Sequence, residues 1–272
     1  MIRNAIKFGA EVYTWYMHEN GLTHAGKLGH MIDITSQAGF KGIEPIHHWM
    51  GELNDPAKLQ DKLTEYNIEL AAIALCLNWN DSEITEIEKR DTAQTIEILR
   101  NFPGALLCLV QLPTGRHDIQ HRRKQLLDHL HWTASQAADH GIPSTFHPNS
   151  PHHSITRTPE DYDFLLSGLD PALCGWTPDV GHIINGGMDP LQTMKRYQSL
   201  INHVHYKDWD GQPEFALMGN GQVDFAGITR WLEDIQYTGW IICEDEGKEA
   251  YGHPDEVTLH DGSWVNKNLI QT

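Results

Sequence analysis

Basic residues are scarce in this sequence: 20 Lys and Arg stand against 37 Asp and Glu, a formal net charge of −17 over 272 residues. Such a field repels a phosphate backbone, whereas nucleic-acid binders carry a basic face, so nucleic acid is not the expected partner. Long apolar runs are missing as well. The longest, Leu70 to Leu77, is too short to span a bilayer, and Met1 to Trp15 has no sustained apolar core behind a basic start. Neither a membrane anchor nor a secretory leader is expected. Cysteine is sparse: Cys76, Cys108, Cys174 and Cys243 show no CxxC spacing and each sits in an apolar, strand-like run. Buried thiols in a reducing cytoplasm fit that pattern better than disulfides or a zinc knot. No long Ser, Gly or Pro linker divides the chain, so one domain is expected over 1–272, with 255–272 as a closing helix or tail.

Forty per cent apolar residues can bury a large core. Short runs rich in Val, Ile and Leu alternate with longer, helix-patterned stretches, the written form of repeated βα units on a parallel sheet. Strands are expected near 6–12, 41–46, 69–76, 105–111, 142–147, 173–179, 201–207 and 240–244. Eight such units predict a (β/α)8 TIM barrel. Helix starts are marked where a capping side chain precedes proline, at Asp55-Pro56, Thr158-Pro159 and Asp189-Pro190. Ala38-Gly39 reads as a helix end with its glycine cap before the strand that finishes on Glu44.

The active site of such a barrel lies at the C-terminal ends of its strands, so polar residues that terminate apolar runs are the informative ones. Glu44, His147, Asp179, His205 and Glu244 are of this kind. Strand alternation in 201–208 puts His203, His205 and Lys207 on one side and Val204, Tyr206 and Asp208 on the other. His205 is the better-placed metal ligand; His203 is equally a core histidine. In Thr177-Pro178-Asp179-Val180-Gly181-His182, Asp179 reads as a ligand and His182 as a substrate contact, with helix capping as the plain alternative for Asp179. Glu244 ends an apolar strand on a carboxylate that needs a cation, and parity puts the adjacent Asp245 on the opposite side. His147, before Pro148-Asn149 and the pair His152-His153, is the fourth candidate ligand. Two carboxylates and two imidazoles suit manganese, cobalt, iron or zinc better than calcium. Trp15, Trp49 and Trp79 follow the first three strands, where they either stack on a sugar ring or plug the mouth, and Glu44 is placed to bind hydroxyls. The glycines of 219–225 permit a phosphate-binding turn, but no GK[ST] follows and the chain is acidic, so a structured loop with Asp224 capping the next helix is expected.

These motifs, GFKGIE at 39–44, DVGH at 179–182, HVHYKD at 203–208, GNGQVDF at 219–225 and GWIICE at 239–244, resemble the xylose-isomerase-like barrels that include tagatose epimerases, hydroxypyruvate isomerases and inosose dehydratases. The resemblance covers most of the chain. It implies one divalent ion, Mn2+ first and Co2+, Mg2+, Fe2+ or Zn2+ otherwise, on a strand-five carboxylate, a strand-six aspartate, a strand-seven histidine and a strand-eight glutamate. Asp179, His205 and Glu244 match the last three, and His147 stands where the sugar epimerases have glutamate. Those epimerases work with two opposed glutamates, and one is missing here. The segment FHPNSPHHS is closer in style to inosose dehydratases and keto-glycoside-cleaving relatives.

The implied chemistry is β-elimination through an enediolate on a sugar or keto-polyol, with Glu244 or His147 as base and His182 or Lys207 as acid. For Lys207, a salt bridge to a nearby carboxylate is the plain alternative. Three other readings stay open: a sugar isomerase or epimerase, an endonuclease IV-like phosphodiesterase that the negative charge disfavours, and a non-catalytic sugar-binding barrel. The resemblance also brings in homo-oligomers and, in the glycoside-cleaving branch, a small partner subunit.

Overall fold

A computed structural model describes residues 6–17, 26–211 and 215–271. Its strands are β1 Lys7–Glu11, β2 Gly42–Glu44, β3 Glu69–Leu70, β4 Ala72–Leu77, β5 Leu106–Gln111, β6 Ser144–His147, β7 Cys174–Trp176, β8 Val204–Tyr206, β9 Asp208–Trp209, β10 Phe215–Ala216 and β11 Trp240–Cys243. They fall into two compact units, one formed by 1–71 with 204–272 and the other by 72–203.

In the first unit five parallel strands run in the order β3-β2-β1-β11-β8. Ala10 sits level with Ile43 in β2 and with Cys243 in β11, while Ile242 is level with His205 and Glu11 with Glu44. The sheet is tight where its residues are smallest: a Cβ on Gly42 would stand 2.5 Å from the Trp240 ring, and one on Gly9 would stand 2.7 Å from the Gly42 carbonyl oxygen. Helices Leu28–Gln37, Pro56–Tyr66, Phe225–Asp234 and Pro254–Val265 cover this unit. Each has apolar residues at helical spacing, such as Leu59 and Leu63 or Ile228 and Leu232, that are buried. Asp55 caps its helix by accepting from the Ala57 and Lys58 amides, and Gly39 leaves the preceding helix at φ +86°.

In the second unit four parallel strands run β4-β5-β6-β7, and Ile201 bridges onto Trp176 beyond the last. Ala74, Cys108 and Thr145 stand in one row, and Cys76, Val110 and His147 in the next, so a single face changes from small and apolar to polar at its C-terminal end. Ala72, Leu106 and Cys108 pack together on that face. Leu107, Leu109 and Phe146 are fully buried on the other, each contributing about 1.5–3 kcal/mol by transfer from water. Thr158 makes the expected cap, a full capping box with Asp161, and Asp189 accepts from the Gln192 amide.

The expected strand positions hold, with two breaks. The run 69–76 is divided at Ala71, with Glu69–Leu70 on β2 and Ala72–Leu77 on β5. The run 201–207 is divided likewise, Ile201 bridging β7 and Val204–Tyr206 pairing with β11. All four cysteines are free thiols. No helix among the described residues is long and apolar enough to cross a membrane.

Candidate functional site

Among the described residues, each unit carries a polar cluster at the C-terminal ends of its strands. In the first, His205 is the centre. Its Nε2 lies 3.2 Å from Glu44 Oε2 and its Nδ1 lies 3.4 Å from Glu244 Oε2, and all three side chains are buried. The alternation predicted for 203–208 accounts for this: His205 and Lys207 turn to the carboxylates, while the Tyr206 hydroxyl meets Thr229 on the covering helix at 2.8 Å. Burial pushes the His205 imidazolium down, but the charges and hydrogen bonds of Glu44 and Glu244 outweigh it and raise the group to about 10.

Lys207 is wholly buried, its Nζ 3.0 Å from Glu244 Oε1 and also bonded to Glu246. The ion pair expected as the plain alternative is therefore present, and a buried cation of this kind needs it. Asp245 turns away from this cluster, its Oδ1 accepting from the Gly247 amide and its own amide donating to Thr14 Oγ1. Glu11, at the end of β1 and level with Glu44, belongs here although the sequence reading passed over it. Burial, then repulsion from Glu244 and Glu44, holds its carboxyl well above the ordinary range, with Lys207 working in the opposite sense. It met the same criterion as Glu44, a buried carboxylate at a strand end, but Val12 after it made the apolar run appear to continue.

The second unit's cluster is built from β6, the turn after β7 and the helix Val180–Asn185. His147 Nε2 lies 3.4 Å from Asp179 Oδ2, and His182 Nε2 lies 4.0 Å from the same oxygen. The two imidazoles meet edge to face with centroids 5.6 Å apart. Asp179 also caps the helix, its Oδ1 accepting from the His182 amide at 2.8 Å. The capping role given as the plain alternative for Asp179 is therefore present, and Asp189 caps a separate helix, Pro190–Arg196. One oxygen of Asp179 fixes the turn while the other is turned to the histidines. His203 is completely buried.

Trp15 is wholly buried with its Nε1 donating to Asp255 Oδ1 at 2.6 Å, and Trp79 is 1% exposed beside His129 with its backbone amide donating to Glu88 Oε1. Trp49 is buried as well, at 7% exposed, and lies 5.3 Å from the exposed ring of Tyr16, which in turn stacks on Tyr13. In the loop 219–225 the phosphate reading is disposed of directly: the Gly219, Gly221 and Val223 amides all donate to the Asp208 carboxylate. Asp224 caps the next helix as expected.

The profile of the xylose isomerase-like TIM barrels matches residues 32–268. An inosose dehydratase of Geobacillus kaustophilus (strain HTA426) is 27% identical over 239 residues, covering 75% of this chain and 77% of that protein. Among solved structures, the IolI protein with a bound zinc atom superposes with a TM-score of 0.75 at 17% identity, covering 97% of this chain and 99% of that one. A D-allulose 3-epimerase from Methylomonas sp. in complex with D-allulose gives 0.74 at 18% identity, covering 97% of each chain. With its ordered motifs, its parallel strands and polar clusters at their C-terminal ends, this chain belongs to the xylose isomerase-like TIM barrel family.

Proposed function

We propose that the chain is a divalent-metal-dependent carbohydrate lyase that eliminates water, or a glycosyl group, β to the carbonyl of a keto-polyol. The observation that carries this reading is the imidazole of His147 against Asp179 at 3.4 Å. It occupies the place where the resemblance puts a glutamate in the sugar epimerases, so Glu244 lacks an opposed carboxylate for proton exchange on two faces. The inosose dehydratase relationship supports elimination.

His147, Asp179, His205 and Glu244 are the side chains proposed to hold the ion. A (β/α)8 fold gathers the C-terminal ends of its strands at one mouth; His147 ends β6, Asp179 lies three residues beyond β7, His205 lies within the three-residue β8 and Glu244 directly follows β11. Two nitrogens and two oxygens, all buried, are a fitting donor set for Mn2+, our first choice, or for the zinc bound by the IolI protein. A bound ion would supply Lewis-acid polarisation of the substrate carbonyl.

The chain's own groups do the rest. Glu244 takes the proton beside the carbonyl, and His147 replaces it in that role if it stays off the ion. The C–H electron pair forms the enediolate, whose collapse makes the C=C bond and breaks the bond to the β-oxygen. His182, or Lys207, donates a proton to that oxygen, which leaves as water or an alcohol. Glu44 binds substrate hydroxyls, and the shelf of Trp49 and Tyr16 offers the apolar face of a sugar site. The free thiols support a reducing compartment such as the cytoplasm, and a single domain over 1–272 accords with the family.

Elemental analysis of the purified protein tests the ion. About one divalent ion per chain is expected, lost from folded His147→Ala, Asp179→Ala, His205→Ala and Glu244→Ala. A folded wild type that takes up no divalent metal would overturn the reading, and metal retained only by His147→Ala would move that residue to the base role. Incubation with an inosose should yield a product lighter by one water. The likeness to a D-allulose 3-epimerase favours epimerisation as the second reading, which requires solvent deuterium in recovered ketose without loss of water.

A further inference from the structure

The proton-donor role proposed for His182 depends on which ring nitrogen carries the proton, and the second unit contains a small device that decides it. Ser150, 1% exposed, follows β6 in a loop that is pinned on both sides. The Asn149 side-chain amide donates to the Gln111 carbonyl at 2.7 Å, and the Asn149 amide N–H donates to Thr156 Oγ1 at 3.0 Å. Ser150 Oγ lies 2.9 Å from His182 Nδ1 and 2.9 Å from Asn185 Nδ2. The Arg157 guanidinium clamps both ends, donating to the Ser150 carbonyl at 2.8 Å and to the Asn185 carbonyl at 3.1 Å.

With the Asn185 amide oriented so that its Nδ2 faces Ser150 Oγ, the protons along this line have one arrangement. An amide NH2 only donates, so Ser150 Oγ accepts from Asn185. Among the described residues, the hydroxyl proton then has one acceptor, His182 Nδ1. A neutral imidazole that accepts at Nδ1 carries its own proton on Nε2. The reverse arrangement would aim two donors at Oγ and leave a buried hydroxyl proton without an acceptor among the described residues, which is costly.

We propose that Asn185 and Ser150 form a relay that fixes His182 as its Nε2–H tautomer, so that the ring offers a proton rather than a lone pair. His182 is then a donor to a departing oxygen and is unsuited to ligate an ion through Nε2, which separates it from His147 although the two rings are neighbours. Ser150 and Asn185 are positioning residues. The use made of the donor rests on the function proposed above; the tautomer itself does not.

The test is a long-range proton–nitrogen correlation spectrum of 15N-histidine-labelled protein at pH 8.5, metal-free and loaded with diamagnetic Zn2+, with the His182 signals identified by their loss in His182→Gln. Expected is a protonated Nε2 and an unprotonated Nδ1 in both states. Folded Ser150→Ala and Asn185→Ala should show mixed tautomers, and Ser150→Thr should restore the pattern. A wild type with the proton on Nδ1, or a Ser150→Ala spectrum identical to the wild type, would overturn the relay; the wild-type spectrum decides even if the variants fail to fold. The expected tautomer in a protein that leaves an inosose unchanged would sink the functional reading while leaving the relay intact.

Discussion

Asp261 lies on the helix Pro254–Val265, 2% exposed, and among the described residues its Oδ1 accepts no hydrogen bond. Burial, and then repulsion from Asp245 and Asp208, holds its carboxyl well above the ordinary value of 3.8. A carboxyl raised on folding contributes stability that is fully present below its unfolded value and lost as pH rises through its folded one. Asp261→Asn is neutral at every pH and can donate toward the neighbouring carboxylates, so it removes that loss. Denaturant titrations should show variant and wild type close together near pH 4 and the variant increasingly ahead as pH rises to 9. A gap that does not widen with pH would refute the assignment. At this scale the sequence was legible where a polar residue interrupts an apolar run, as at His147 and Glu244, because such a residue is expensive without a purpose. Ser150 and Asn185 were not legible: small polar residues in a turn carry no period, and their partners lie 32 and 35 positions away. The hydrogen bond of Trp15 was not legible for a similar reason, since nothing near it announces an acceptor 240 residues on.

Among the elements, the loop 219–223 shows how one side chain can organise a glycine-rich segment. The Asp208 carboxylate takes the Gly219 and Gly221 amides at 2.9 Å each and the Val223 amide at 3.2 Å. Gly219 has φ +88°, and a Cβ there or at Gly221 would collide with Trp264 or with Asp208 itself. Both glycines are needed for close approach rather than for binding an anion. Asp208→Ala should leave four amides without their acceptor, those of Trp209, Gly219, Gly221 and Val223, cost about 1–3 kcal/mol or more, and raise hydrogen exchange within 219–223 while sparing β11. Protection unchanged in that loop would show that its geometry does not depend on the carboxylate. Caps were the most legible features at this scale, because Asp-Pro and Thr-Pro write the side chain and the first turn together. The cap at Asp179 was legible only as an alternative, because the helix it starts is only six residues long and ends before the better-marked one at Asp189.

For the whole molecule, the alternation of strand and helix was legible in the sequence because parallel strands buried on both faces are written as short continuous apolar runs. What no local pattern gave was the division of two of those runs at Ala71 and after Ile201, where consecutive residues serve different strand partners. Metal binding is the property that tests the fold and the proposed ligands together. An ion bound only by the folded chain stabilises it by RT ln(1 + [L]/Kd), about 2.7 kcal/mol at a hundredfold excess over Kd, or roughly 5–10 °C in melting temperature for a chain of this size. If His205 ligates as proposed, its cluster sets the pH dependence, because an imidazolium raised to about 10 must give up its proton before it can bind an ion. The zinc-induced rise should therefore shrink as pH falls from 9 to 6. It should be absent from His205→Ala and from Asp179→Ala if both residues ligate as proposed. Scanning calorimetry at fixed free Zn2+ reads both effects; a rise that persists undiminished in either variant would place the ion elsewhere and remove the donor set on which the elimination chemistry depends.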